Sequence, residues 1–351
     1  MAGFIIRRLG VMALTALCMT FIVFLLTNLQ PNLEKLAKTQ AGARITDAEV
    51  ASWIDRNGYG APMLTRYGEW LGVLPAPLVT DADGQAVGGR CLRGHPELAA
   101  EEVPRFCGVL QGDWGYSTKF RRPVTEVIAE RLQRTGLLMA WAFATMVPLA
   151  LIVGVLAGMR EGSVLDRGLS TVSIATTSTP EYVSGVIFVA IFASSMVGLK
   201  WFTGSAKSAV EGATFQNFTL PVATVALYGM GYIARMTRAS MAEVMTAQYI
   251  RTARLKGLSF RAVVLRHALR NALIAPFTVI MLQFPWLLTG VVIVEALFVY
   301  PGFGDALVQG AQNNDIDLLL AVSVVAVIVV LATQLLSDIG YAALNPRIRV
   351  A

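Results

Sequence analysis

Apolar residues gather in long blocks along this chain, and the blocks are too long to be single faces of helices on a soluble core. A helix crossing the hydrocarbon of a bilayer needs about 20 mostly apolar residues, each adding about 1.5 Å. Leu9–Leu29, Leu137–Gly158, Leu169–Leu199, Phe277–Phe298 and Leu318–Tyr341 meet that requirement. Thr219–Ala234 is shorter and holds Pro221 and two glycines, and it reaches across if tilted or extended. The pattern predicts an all-α integral membrane protein with six spans. The first block follows Arg7 and Arg8, exceeds the apolar core of a signal peptide and is followed by no small-x-small cleavage site, so it reads as a retained anchor.

Polar sequence between the blocks is uneven. From Arg235 to Ile250 the composition favours helix, with Met241, Val244, Met245 and Gln248 at helical spacing. That pattern continues to Lys256 and meets Gly257, which can take the left-handed conformation that closes a helix; Ser259 can then cap a second helix over Phe260–Leu273. The expectation is a basic elbow of two helices immediately before the fifth span. A plain topology anchor that also binds anionic lipid accounts for the charge. An elbow with a glycine vertex also suits a groove on a partner protein.

Composition sharpens the membrane reading. The 351 residues are 55% hydrophobic and 15% charged, against about 25% charged in soluble domains. A net charge of +6 could point to nucleic acid, but basic residues beside apolar spans record orientation. With the N-terminus inside, Arg7/Arg8, Arg160/Arg167, the cluster Arg235–Arg270 and Arg347/Arg349 are all cytoplasmic. The cluster holds eight basic residues against the single acid Glu243. Lys119–Thr135 disagrees, placing five basic residues outside, partly offset by Glu126 and Glu130. Its Val124, Val127, Ile128, Arg131 and Leu132 share a helical face expected on the membrane or the bundle. The outer regions are then 30–136, 200–218 and 299–317.

Candidate chemistry is sparse. Ionisable groups in lipid are costly and usually face a cavity, so Glu181, after Pro180, and Glu295, near the outer end of the fifth span, are pathway candidates, with Gln283 as an uncharged third. A buried structural hydrogen bond or ion pair is the competing role for Glu181 and Glu295, and packing for Gln283. Cys91 and Cys107 fall in the outer segment, where an oxidising compartment permits a disulfide worth up to about 3 kcal/mol in the chain-entropy account. Together with His95 they could instead be three metal ligands, although the spacing is not a familiar zinc pattern, and no metal site is expected. Cys18 lies within the first span as packing. His95 and His267 are the only histidines, which leaves little for general-base catalysis and argues against an intramembrane enzyme. No G-x-x-x-x-G-K-[ST] loop occurs, so ATP binding through that motif is excluded. A self-contained secondary carrier remains as a rival, although such carriers usually show two repeated halves, and no internal repeat is visible here.

The stretch "YIRTARLKGLS…RHALRNALIAP", Tyr249 to Pro276, resembles the cytoplasmic loop of ABC importer permeases of the peptide/nickel branch. The general loop of these permeases reads Glu-Ala-Ala, three residues, Gly, nine residues, Ile-x-Leu-Pro. Here Ala253 and Gly257 hold their places, Arg251 stands for the Glu, and His267-Ala-Leu-Arg stands for the final motif, as is usual for peptide-type members. Six further stretches are similar in the same order: Phe4–Gly10, Tyr59–Leu71, Gly112–Ser117, Pro123–Thr135, Ser178–Gly185 and Val294–Gly304, closed by Asn345–Arg349. The chain departs from the pattern after the first span, where "QPNLEK" replaces Pro-Gly-Asp-Pro, and in about 35 additional residues at 72–107.

The resemblance implies the type I ABC importer (MetI-like) permease fold. It places an anchor helix at 1–29, a large periplasmic segment at 30–136 between helices 1 and 2, a core permease domain at 137–343 with its coupling loop at 235–271, and a tail at 344–351. It implies a non-catalytic B-type subunit of the bacterial inner membrane, paired with a C-type permease. Two ATPase subunits would carry the ATP and Mg, none of it in this chain, and a periplasmic solute-binding protein would deliver the cargo. Tyr249, Arg251, Ala253, Arg254, Gly257, Leu258, Ser259 and Phe260 are the implied contacts to the ATPase. Peptides are the first cargo; nickel chelates, glutathione, peptide-like antibiotics, opines and sugars follow.

Overall fold

The computed structural model describes residues 2–42, 44–80, 85–95, 98–195 and 199–344, with side chains left aside at 2–5, 287–290 and 341–344. The closing motif Asn345–Arg349 and the tail lie outside the described residues, as does part of the 72–107 insertion. In chain order the first helices are α1 (Ala2–Thr27), α2 (Gln30–Ala41), α3 (Asp47–Arg56), α4 (Met63–Leu71), α5 (Arg90–Gly94), α6 (Val124–Gly158), α7 (Val164–Ser178) and α8 (Glu181–Phe192). They are followed by α9 (Phe215–Met245), α10 (Gln248–Leu255), α11 (Phe260–Ala262), α12 (Leu269–Ala272), α13 (Ile274–Leu297), α14 (Phe303–Gln312) and α15 (Ile316–Leu344). Two short antiparallel hairpins complete the secondary structure, β1 (Val79–Thr80) with β2 (Ala86–Gly88) and β3 (Tyr116–Ser117) with β4 (Arg122–Pro123).

The chain forms two compact units, and their boundaries fall inside α1, α6, α14 and α15. The first comprises Ile6–Gln133 and Asp305–Ile328; the second comprises Met1–Ile5, Arg134–Gly304 and Val329–Ala351. In the first unit, Phe24 of α1, Leu33 and Leu36 of α2, Tyr67 and Trp70 of α4, and Ile316, Leu320 and Val324 of α15 make the core. Thr46 and Glu49 form a reciprocal capping box that starts α3. Cys91 and Cys107 are joined by a disulfide, Cα atoms 5.4 Å apart, and both are buried. The face read from the pattern at the start of α6 is realised: Val124, Val127, Ile128 and Arg131 are all buried, and Arg131 donates to Asp305 at 2.8 Å.

The second unit is built around α9, against which α7, α8 and α13 pack. Leu138, Met146, Phe218, Ile233, Val294 and Phe298 belong to its main core. Close approach needs glycine at position 154, where a Cβ would come within 2.6 Å of the Ala234 carbonyl oxygen. Among the described residues, three helical stretches are long and apolar enough to cross a bilayer alone: Ile6–Thr27, Val124–Gly158 and Ile316–Gly340. Two bent pairs, Val164–Ser178 with Glu181–Phe192 and Phe260–Ala272 with Ile274–Trp286, raise the number to five.

Several expected spans take a different form. The third was read as one run, Leu169–Leu199, but α7 and α8 meet at 105°. Proline is the cause: Pro180 has no N–H to continue a helix and drives Thr179 into an extended conformation (φ −96°, ψ 121°). The second span was expected to start at Leu137, yet α6 runs unbroken from Val124, because nothing near Gly136 stops a helix already formed. Thr219–Ala234 lies in α9, which at 31 residues is long enough but is not among the apolar spans. Pro221 lies inside it as the seventh residue and removes one i→i−4 hydrogen bond.

Candidate functional site

The elbow is assembled within the second unit from α9 to α13. The expected continuous helix to Lys256 is interrupted instead: α9 ends at Met245, Ala247 is extended (φ −64°, ψ 149°), and α10 starts at Gln248. Gly257 then takes φ +75° with open space around it, so the left-handed turn itself, and not crowding, calls for glycine. Ser259 caps the return, accepting from the Ala262 backbone N–H at 3.3 Å. The returning helix is not uniform: residues Val263–Ala268 are π-helical between α11 and α12. No element of the sequence pattern signals that wider turn.

Packing sorts the elbow residues into two faces. Ile250 and Ala253 turn inward with Met241, Met245, Val263, Val264, Ala268 and Ala272 to form a small core of their own. Of the eight residues expected at the partner contact, Ala253 is therefore a support and not a surface group, because a methyl fills the space between α10 and the returning helix. Tyr249, Arg251, Arg254, Gly257, Leu258, Ser259 and Phe260 are exposed. Leu255, two residues before the vertex, is 81% exposed and was not singled out from the sequence; an apolar residue on an otherwise basic face was the available signal. The Arg160 guanidinium lies 5.5 Å from the Phe260 ring centre and fixes its direction. Tyr249 accepts from the Asn271 side-chain amide at 3.1 Å, joining the outgoing arm to the returning one.

An ion pair with a buried carboxylate and a half-buried arginine joins α9, which leads into the elbow, to α7. Arg238 of α9 donates through Nε and Nη2 to the two oxygens of Asp166 in α7, at 2.9 and 2.8 Å. Asp166 also accepts from the Gly162 N–H at 2.9 Å and from the Ser170 hydroxyl at 3.1 Å. Sequence reasoning missed this pair, since 72 residues separate its members.

The three pathway candidates are scattered. Glu181 opens α8 on the 105° bend and is half-buried. Gln283 is buried within α13. Glu295 has no exposed surface: its carboxylate accepts from the Thr135 hydroxyl and from the Gly304 N–H at 2.8 Å, and the Thr135 oxygen accepts from the Phe303 N–H at 2.7 Å. Nearby, the Tyr300 hydroxyl donates to the Arg134 carbonyl at 3.0 Å, and burial pushes that phenol up to about 12. Glu295 thus organises the turn after α13. Among the described residues no group of His, Cys, Asp and Glu is arranged to hold a metal ion.

Residues 150–350, including the elbow, match the family described as the binding-protein-dependent transport system inner membrane component. The chain belongs to that family. It is a permease subunit of an ABC importer, a multi-pass protein of the inner membrane. Permeases of this family work with ATPase subunits and a substrate-binding protein and are not themselves catalytic. The glutathione transport system permease protein GsiC of Escherichia coli is 34% identical over 240 residues, covering 68% of this chain and 76% of the relative. The oligopeptide transport system permease protein AppB of Bacillus subtilis is 29% identical and matched over 99% of both chains. A solved structure of the MetNI methionine ABC transporter aligns over 62% of this chain and 94% of its own, at 19% identity and a TM-score of 0.45.

Proposed function

We propose that this permease forms half of the translocation pathway for peptides or peptide-like solutes, as the B-type partner of a C-type permease. The observation that carries the coupling role is the elbow. A left-handed glycine vertex presents Leu255, Leu258 and Phe260 beside Arg251 and Arg254, an apolar and basic surface suited to a groove on an ATPase. Closure of two ATPase subunits, which bring the ATP and Mg, pushes this elbow. The push passes through the small core under Ile250 and Ala253 to α9 and α13, and the spans change between inward and outward access. Glu181, on a bend between two apolar helices, is the residue we assign to the pathway.

In this reading the bundle has the six spans of the type I permease fold, α9 counting as one. The N-terminus is cytoplasmic, as the basic residues near the span ends require, and residues 30–136 lie on the periplasmic side. Cargo class rests on the relatives, whose names include oligopeptide and glutathione transport.

The test is co-purification from the native membrane with a tag on this chain, beside a Gly257→Arg version. Recovery of ATPases and a second permease with the wild type, and loss of the ATPases alone from the variant, is the expected result. If the chain purifies alone in both, the coupling role is wrong. Ligand screening on the recovered binding protein then identifies the cargo.

A further inference from the structure

A second polar site lies wholly within the first unit. It is a cavity of about 30 Å³ beneath Tyr59, into whose wall three arginines are built, Arg66 of α4 and Arg90 and Arg93 of α5. Their carboxylate neighbours are Glu69 of α4 and Asp317 of α15.

We propose that this cavity binds a single monatomic anion, chloride in the cell, held by the guanidinium groups of Arg66, Arg90 and Arg93. Charge is the first argument. Arg66 is buried, and Arg90 and Arg93 keep 12% and 20% side-chain exposure; an enclosed guanidinium cannot shed its proton to escape the cost of burial, so the three need negative charge nearby. Only two carboxylates line the site, one fewer than the arginines. Asp317 stands 4.0 Å from Arg90 and 3.8 Å from Arg93, beyond hydrogen-bonding reach. Burial pushes the Glu69 carboxyl upward, against the pull of Arg90 and Arg66. Asp113, whose field also reaches Arg90 and Arg93, does not line the cavity and is engaged by His95 at 3.1 Å and the Gly115 N–H at 2.9 Å.

Hydrogen bonding gives the second argument. The arginines are held in place by neutral oxygens: Arg66 donates to the Asn28 side chain at 3.3 Å, Arg90 to the Cys107 carbonyl at 3.1 Å, and Arg93 to the Asn57 carbonyl at 3.1 Å. Those contacts orient the groups, and Asp317 offsets part of the charge of Arg90 and Arg93. Arg66 Nε and Arg90 Nη2 are buried and find no partner among the described residues. The Cys91–Cys107 disulfide ties the carbonyl that holds Arg90 to the residue next to it in α5, so the site is stapled.

Size decides the ligand class. A water-sized body needs about 10–15 Å³ measured this way, so the cavity admits one such body or two at most. A single halide matches that size.

The experiment uses the intact transporter complex. Thermal unfolding is followed while chloride replaces gluconate at constant ionic strength, and crystals grown in bromide are examined for anomalous scattering. The expected results are a saturable rise of a few degrees in Tm, a bromide peak between the three arginines, and at least tenfold weaker apparent chloride affinity in Arg90→Gln. A Tm indifferent to chloride, or an equal response in Arg90→Gln, overturns the proposal. A cavity with no bromide peak in wild-type crystals, holding water only, overturns it as well, and that observation does not depend on whether the variant folds.

Discussion

Arg238 on α9 and Asp166 on α7 meet in a two-point ion pair at 2.8 and 2.9 Å, with Asp166 almost fully enclosed at 3% side-chain exposure and Arg238 at 32%. The planar fork of arginine matches both carboxylate oxygens, which a lysine ammonium cannot do. Arg238→Lys should therefore destabilise by about 1–2 kcal/mol, and Asp166→Asn by about 1–3 kcal/mol. Denaturation of the purified complex checks this, and a double-mutant cycle should show the paired change costing less than the sum of the single ones. Strict additivity would mean the pair contributes nothing as a pair.

Strain without crowding makes position 257 a graded probe. Asparagine tolerates the left-handed region better than alanine, and valine tolerates it worst. Transport should fall in the order Gly257→Asn, Gly257→Ala, Gly257→Val, with alanine costing the turn about 1 kcal/mol. Uptake into proteoliposomes measures it; equal activity in all three would show that the turn geometry is dispensable.

Leu255 has no packing duty in this chain, being 81% exposed. Leu255→Asp should leave the melting of the isolated chain within about 0.5 kcal/mol of wild type, while ATPase subunits are lost on pull-down. Retention of the ATPases would move the contact away from the vertex.

Thr135 both donates to Glu295 and accepts from the Phe303 N–H. Thr135→Val keeps the shape and strands two buried groups, so a loss of about 2–3 kcal/mol is expected with KM for cargo unchanged. A changed KM at unchanged stability would return Glu295 to the pathway.

The disulfide closes a loop of separation 16 between Cys91 and Cys107. The double change to serine should cost the first unit up to about 3 kcal/mol, read as faster proteolysis between residues 72 and 107, with the same effect from a reductant on the wild type and none on the variant.

How much of this was legible in the sequence differs from feature to feature. Apolar block length alone announced helices in a membrane, because the bilayer imposes a minimum run of apolar residues on any chain that crosses it. The glycine vertex and its serine cap were equally readable, since both are consequences of local backbone and side-chain chemistry at Gly257 and Ser259. The bend at Pro180 could be suspected but not measured: a missing N–H permits a break, and the packing around it sets 105°.

Long-range matters were decided only in three dimensions. The sequence offered no sign that Thr135 and the Gly304 N–H would close around Glu295, and the Asp166–Arg238 pair was invisible for the same reason. Sequence by itself determined where the chain must be helical and apolar, and where it must turn, because those demands act within a few residues. Tertiary structure decided which polar groups are satisfied and which remain available, as in the arginine cavity, because a buried charge is matched by whatever the fold brings beside it.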